Sequence, residues 1–474
     1  MDFTAKHKIN FSYCIAASVN LMSMLAGIGY AWSSPCIPKL AGQVDPEFNP
    51  LPKPATIKEI SWITALHCMG AIFGPLLTGC IAYKIGKKKT LLLFAIPQMI
   101  SHIILIFANK VIHFYIARFL LGMGTGCVFS LVPVYVAEMS VATHRGRTSM
   151  FLPLMLTLTQ DLMFLIGPYV TIRTLALWSL LPSIVFFLSF GIFMPESPYD
   201  CVKQNKIIKA QHSLMLSRQT SNVQDELQSI INSIDEDKNN GKINELCRSR
   251  AVGKSFLIAF MLMFFQQFNG SNAIFAYQQT IFYASESTIP ADKSVMLVGA
   301  FQIVVQLFVS KLVDSWGRKN LLIVSYFCQL ISLVSLGIYF YLQKQNINIE
   351  FLFWLPITSV MLFMLSFKLG AGPVSWIIAG EIFPTNFKFI LSPLIAFCMT
   401  VMSFIVTFVF PKFSVYIGYE YSFWIFAVVV ATAILYIYLM VPETSGKSLK
   451  EIESIFQNRE SVTREDQPYQ KVNY

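Results

Sequence analysis

The chain has 474 residues, 55% hydrophobic and only 13% charged, with a formal charge of +10. That balance excludes a soluble globular domain of this size and points to a polytopic membrane protein. Nine cysteines, mostly inside apolar runs, imply no disulfide framework, and no Cys/His spacing suggests a metal.

A hydrocarbon core of ~30 Å needs about 20 apolar residues per helix. Such runs lie near 10–32, 60–82, 90–108, 111–136, 149–171, 174–195, 253–284, 293–313, 320–342, 352–383, 389–416 and 421–441. They predict an all-α integral membrane protein with about a dozen, here twelve, transmembrane helices. The polar start MDFTAKHKIN precedes a first run too long for a signal peptide, so the first helix is expected to be retained.

Basic clusters set the orientation. Lys84, Lys87, Lys88 and Lys89 follow the second run, Arg145 and Arg147 the fourth, Arg318 and Lys319 the eighth. All fall on one side, which is therefore expected to be cytoplasmic, with both termini inside. The charge is spread over short loops, which argues against a nucleic-acid partner. The partners expected are a lipid bilayer and a small solute, with the monomer as the working unit.

Residues 199–252 are polar and rich in both charges. Leu214, Leu216, Leu227, Ile230 and Ile231 are spaced loosely as on amphipathic helices. Short cytoplasmic helices are expected here, linking an N-terminal six-helix bundle (1–198) to a C-terminal one (253–457), followed by a tail (458–474).

The halves echo each other. Gly79–Lys88 after the second run matches Asp314–Lys319 after the eighth. Glu138 precedes Arg145 by seven residues, as Glu381 precedes Lys388. Pro195-Glu196-Ser197 is matched by Pro442-Glu443-Thr444. Duplicated halves are a transporter hallmark, with the solute site near the midplane between them. The seventh run adds an anomaly: Gln266, Gln267, Asn269 and Asn272 surround Gly270 inside an apolar segment.

These motifs resemble the sugar porters of the major facilitator superfamily, from about Tyr30 to Glu453. The pieces are Arg118-Phe-Leu-Leu-Gly122-x-Gly124-x-Gly126, Pro133-Val-Tyr-Val-Ala-Glu138, Pro195-Glu-Ser-Pro198, Gln266-Gln267-x-x-Gly270-x-Asn272, Gly372-Pro373-x-x-Trp376 and Pro442 to Glu453. The subgroup that looks nearest is the facilitated trehalose transporter-like proteins of arthropods. The resemblance implies a major facilitator fold of two pseudo-symmetric six-helix bundles.

It also implies that Gln266, Gln267 and Asn272 hold sugar hydroxyls. An amide offers both donors and an acceptor, as a hydroxyl group does, and an unpartnered amide is costly in hydrocarbon. On a straight helix Gln267 and Asn272 would lie roughly 140° apart, so a break at Gly270-Ser271 is expected. The plainer reading is that the amides bond to neighbouring helices, most of all Asn269. By the same resemblance Gln160, Gln302 and Trp376 line the cavity, Trp376 with its aromatic face, although ordinary core packing would also suit a tryptophan. The resemblance further implies that Glu138, Arg145, Glu196, Asp314, Arg318, Glu381, Lys388 and Glu443 form a cytoplasmic gate that latches the bundles when the cavity opens outward. The alternative is that such charges only mark the membrane boundary.

Four departures matter. Tyr83 stands where the family has aspartate, and Tyr199 where arginine is usual, so the N-half latch is expected to be weakened or rebuilt. Ala31 stands where many proton-coupled relatives have aspartate, which favours facilitated diffusion. Met399 and Thr400 replace an Asn-Trp pair, and Ser403 sits where a sugar-contacting asparagine is common. Lys368 lies eight residues before Trp376, inside the tenth run. A mid-membrane lysine costs at least ~2.5 kcal/mol and needs a counter-charge, water or a solute. Asp161, beside Gln160, is the natural partner; altered selectivity for an anionic or otherwise polar solute is the other reading.

The expected function is facilitative, alternating-access transport of trehalose or a hexose such as glucose across the plasma membrane. The rivals are a carrier for an anionic or other polar solute using Lys368, and a non-transporting sugar sensor. No enzymatic constellation, phosphate loop or cofactor motif is expected.

Overall fold

The structure is a computed structural model. It describes residues 11–141, 144–220, 222–239, 250–313, 317–347, 349–383 and 388–443. These residues form helices connected by short loops, and ten of the helices are long and apolar enough to cross a membrane.

The first half contains α1 (Phe11–Ala31), α2 (Ser33–Leu40), α3 (Ile57–Ile85), α4 (Lys87–Ile106), α5 (Val111–Met139), α6 (Arg145–Ser149), α7 (Phe151–Ile166) and α8 (Ile172–Leu188). The connecting segment carries α9 (Pro198–Lys203), α10 (Ile207–Arg218) and α11 (Gln224–Asn239). The second half contains α12 (Arg250–Phe268), α13 (Ser271–Ala284), α14 (Ala291–Val313), α15 (Arg318–Lys344), α16 (Leu355–Ser366), α17 (Pro373–Ile382), α18 (Lys388–Tyr416) and α19 (Tyr419–Met440). The seventh and tenth predicted runs are each broken, at Gly270 and at the Phe367–Ala371 π-turn.

The helices start and stop where their sequences dictate. Thr56 and Glu59 form a capping box on α3. Gly86 and Gly317, at φ +91° and +75°, let the chain turn sharply into α4 and α15. Close helix contact uses glycine: a Cβ on Gly122 would come within 2.0 Å of the His67 carbonyl oxygen, and one on Gly70 within 2.1 Å of that of Phe119. The linker helices bury Leu214, Leu227 and Ile230 in a small core of their own. Leu216 stays exposed and Ile231 half-buried.

Across the halves, α3 packs on α18, α7 on α14 and α2 on α13. At the end that carries α2, one apolar core is shared: Ile28, Trp32, Ile63 and Phe164 cluster with Leu262, Tyr277, Val295 and Phe410. At the linker end the first half has a separate core around Ile15, Leu131 and Tyr135. The facing helices α12, α17 and α18 have another, around Ala259, Met263 and Leu391. Among the described residues, no buried apolar cluster joins the halves at that end.

Candidate functional site

The amide-rich stretch sits at a true helix break. α12 ends at Phe268, Gly270 takes φ +88°, and α13 starts at Ser271. Side chains take over the hydrogen bonds the break leaves open. Asn269 Oδ1 accepts from the Ser271 N–H at 2.8 Å, and Ser271 Oγ donates to the Gln266 carbonyl at 3.2 Å. Asn269 Nδ2 donates to Gln329 Oε1 at 3.1 Å, so Asn269 serves the break and a neighbouring helix.

The break turns the remaining amides toward one another. Asn272 Nδ2 donates to Gln267 Oε1 at 2.5 Å, and Gln267 Nε2 lies 3.4 Å from Gln266 Oε1. Gln266 Nε2 donates to the Ala371 and Gly372 carbonyls at 3.0 and 2.8 Å. Those carbonyls belong to the second break. In a π-turn the carbonyl-to-amide register slips by one residue, and Pro373 contributes no N–H. The two breaks are thus joined by one glutamine.

The other predicted residues lie on neighbouring helices. Gln302 on α14 is 1% exposed, and neither amide atom has a hydrogen-bond partner among the described residues. Gln160 on α7 is buried and makes no hydrogen bond among the described residues. Trp376, on the helix that leaves the second break, is 39% exposed. Ser403 instead packs across the halves, its Oγ 3.4 Å from Cys68 Sγ. Lys368 reaches from the π-turn to Asp161 on α7, with Nζ at 3.0 and 2.8 Å from the two carboxylate oxygens. Both residues are buried.

The charged residues at the linker end form one network per half. In the first, Lys87 Nζ lies 3.0 Å from Glu138 and 2.6 Å from Asp200. Glu138 also accepts from Ser197 Oγ. In the second, Arg318 pairs with Glu381. The motif glutamates act alike in both. Glu196 Oε1 accepts from the Lys88 N–H at 2.8 Å, and Glu443 accepts from the Arg318 and Lys319 N–H groups at 3.1 and 3.0 Å. Each caps the N-terminus of the helix after Gly86 or Gly317, where the helix dipole favours a carboxylate. Burial pushes the Glu196 carboxyl above its ordinary range, while the bond from the Lys88 N–H works the other way. None of these pairs links the first half to the second. Asp314 lies outside the described residues, as do the side chains of Arg145 and Lys388.

Sequence reasoning passed over two participants. Asp200 accepts from both the backbone and the side chain of Lys87; its only signal was an acidic residue just after Pro195–Pro198. Arg118, noted only as part of a motif, is 1% exposed. It donates to the Gly29 carbonyl at 2.7 Å, the Ile63 carbonyl at 3.2 Å and Ser33 Oγ at 3.0 Å. Its guanidinium also stacks 5.0 Å from the Trp32 ring. A lone cation inside an apolar helix was the available signal.

Two packed helical halves, the second with two helix breaks tied by a glutamine, define a membrane carrier of the major facilitator fold. The sequence profile of the family described as Sugar (and other) transporter matches residues 19–456, and the chain belongs to that family. It is 30% identical to the facilitated trehalose transporter Tret1 of Bombyx mori over 441 residues, 92% of this chain and 85% of that protein. It is 30% identical to Tret1 of Apis mellifera ligustica over 93% of this chain and 87% of that one. The fold matches the partially occluded inward-open xylose transporter XylE from E. coli, with a TM-score of 0.76 at 23% identity, over 92% of this chain and 99% of XylE.

Proposed function

We propose that the protein is a facilitative carrier for a neutral sugar, trehalose or a hexose such as glucose, working by alternating access. The observation that carries this reading is the amide cluster of Gln266, Gln267 and Asn272, gathered at a helix break in the second half. With Gln160 and Gln302 it supplies donors and acceptors for hydroxyls but no free charge, because Lys368 is matched by Asp161. That pairing favours a neutral solute over an anion. Kinship with proteins named facilitated trehalose transporters supports the sugar, and Ala31 supports transport without protons. Trp376 offers a ring to the solute, and Ser403 lines the seam the solute must part.

In this reading twelve spans form two bundles, 1–198 and 253–457, joined by 199–252, in the plasma membrane as a monomer. The basic linker end is cytoplasmic, and the cavity opens inward, opposite the end where the halves share a core. Glu138, Glu196, Glu381 and Glu443, with Arg145, Arg318, Lys388 and Asp314, regroup across the halves when the cavity faces outward.

Gln267→Ala tests the site. It removes the acceptor for Asn272 and a donor beside Gln266. Labelled sugar uptake is expected to fall about tenfold or more, the range for lost hydrogen bonds to a bound solute, with surface abundance unchanged. A fall in abundance that matches the fall in uptake would make Gln267 a packing residue.

A further inference from the structure

Asp161 and Lys368 stand at a seam. Asp161 is on α7 in the first half, Lys368 on the π-turn in the second, and their side chains meet in two contacts of 2.8 and 3.0 Å. The helices around them touch closely: a Cβ on Gly299 of α14 would come within 3.0 Å of the Asp161 carbonyl oxygen. Phe164, on the same side of α7 as Asp161, belongs to the core that both halves share. The pair therefore lies where the halves are closed on each other.

It is also wired to the amides. Gln160 is the residue before Asp161. Gln302 lies one turn along α14 from Gly299, on the face that meets α7. The turn that carries Lys368 ends in the Ala371 carbonyl that Gln266 holds. Closing the ion pair thus draws the segments that carry Gln160 and Gln302 toward the turn that Gln266 holds.

Opening the opposite way must pull α7 from the second half. That separates two charges with few other partners, in a region where an unpaired charge is costly. We infer that Asp161 and Lys368 form an intramembrane latch that holds the α2 end closed and positions the amides of the two halves to receive the solute together. They are positioning residues and need not touch the solute. The inference rests on the carrier reading but is tested by a readout that needs no solute.

Cys68 supplies that readout. It is buried at the α3–α18 seam against Ser403, and a reagent that stays outside the cell reaches it only if the α2 end opens. The experiment labels cells with a membrane-impermeant maleimide and takes the difference between the chain and its Cys68→Ala version as the Cys68 signal. Neutralising both charges together, Asp161→Asn with Lys368→Met, leaves no orphan charge. This variant is expected to label Cys68 about tenfold faster, the shift that removal of one state-selective contact produces, and to take up sugar with a raised KM. The swapped pair, Asp161→Lys with Lys368→Asp, is expected to return both values toward the parent and covers the case in which the neutral variant fails to reach the surface. Labelling and KM at the parent values in the neutral variant would overturn the latch, and so would labelling of the swapped variant about tenfold faster than the parent, which decides the case if only the swapped variant reaches the surface. Faster labelling with no sugar uptake by the parent chain would keep the latch and overturn the sugar.

Discussion

Arg118→Met is expected to remove the protein from the membrane almost entirely, with surface abundance falling about tenfold or more. The guanidinium ties three helices and makes no ion pair among the described residues. It caps the Gly29 carbonyl near the end of α1, reaches the Ile63 carbonyl on α3 and holds Ser33 at the start of α2. Hydrogen bonds from a charged donor are worth about 1.5–3 kcal/mol each, and leaving buried carbonyls unpartnered adds to the loss. A cation near a helix C-terminus contributes further. Arg118→Lys keeps the charge but offers no planar fork, so an intermediate abundance is expected. Surface biotinylation, together with the thermal midpoint of purified protein, checks both. Full abundance with failed transport would move Arg118 from the scaffold to the transport cycle.

Gly270→Leu is expected to abolish uptake, while Gly253→Ala leaves it intact. Gly270 holds φ +88°, where a side chain costs about 1–2 kcal/mol, and its Cβ would come within 2.7 Å of the Phe426 ring. A ring in a packed interior yields little. The backbone is expected to relax toward a continuous helix, which would turn Gln267 and Asn272 away from each other. At Gly253 a Cβ meets nothing within 4 Å, so that variant controls for simple loss of a glycine. Sugar uptake normalised to surface abundance reads the result. Normal uptake by Gly270→Leu would show that the break is not needed for the site.

The contrast between these residues shows what could be read without coordinates. The helix break was legible because it is local: a glycine and a serine between amides that a straight helix would point apart. The Asp161–Lys368 partnership was legible because a charge in an apolar run has few candidate partners. The duplicated networks were foreshadowed by the repeated Pro-Glu motifs, but their roles were not. That Glu196 and Glu443 cap helix N-termini depends on two glycines of positive φ that bring the chain back beneath them. The bonds of Arg118 to Gly29 and Ile63 were illegible for a similar reason: a backbone carbonyl carries no signature, so a through-space bond to one cannot be read from residue types. Ser403 looked like a residue facing the cavity, and only the packing of α3 on α18 places it against Cys68.

The central claim is that this amide-lined break carries a neutral sugar down its gradient. The measurement that tests it most directly is uptake of labelled trehalose and glucose by purified protein in liposomes, with and without an imposed pH gradient, for the parent chain and Gln267→Ala. The account predicts saturable uptake of at least one of the two sugars, indifferent to the gradient and strongly reduced in the variant. Folded parent protein that moves neither sugar, or moves one only when protons flow with it, would contradict it.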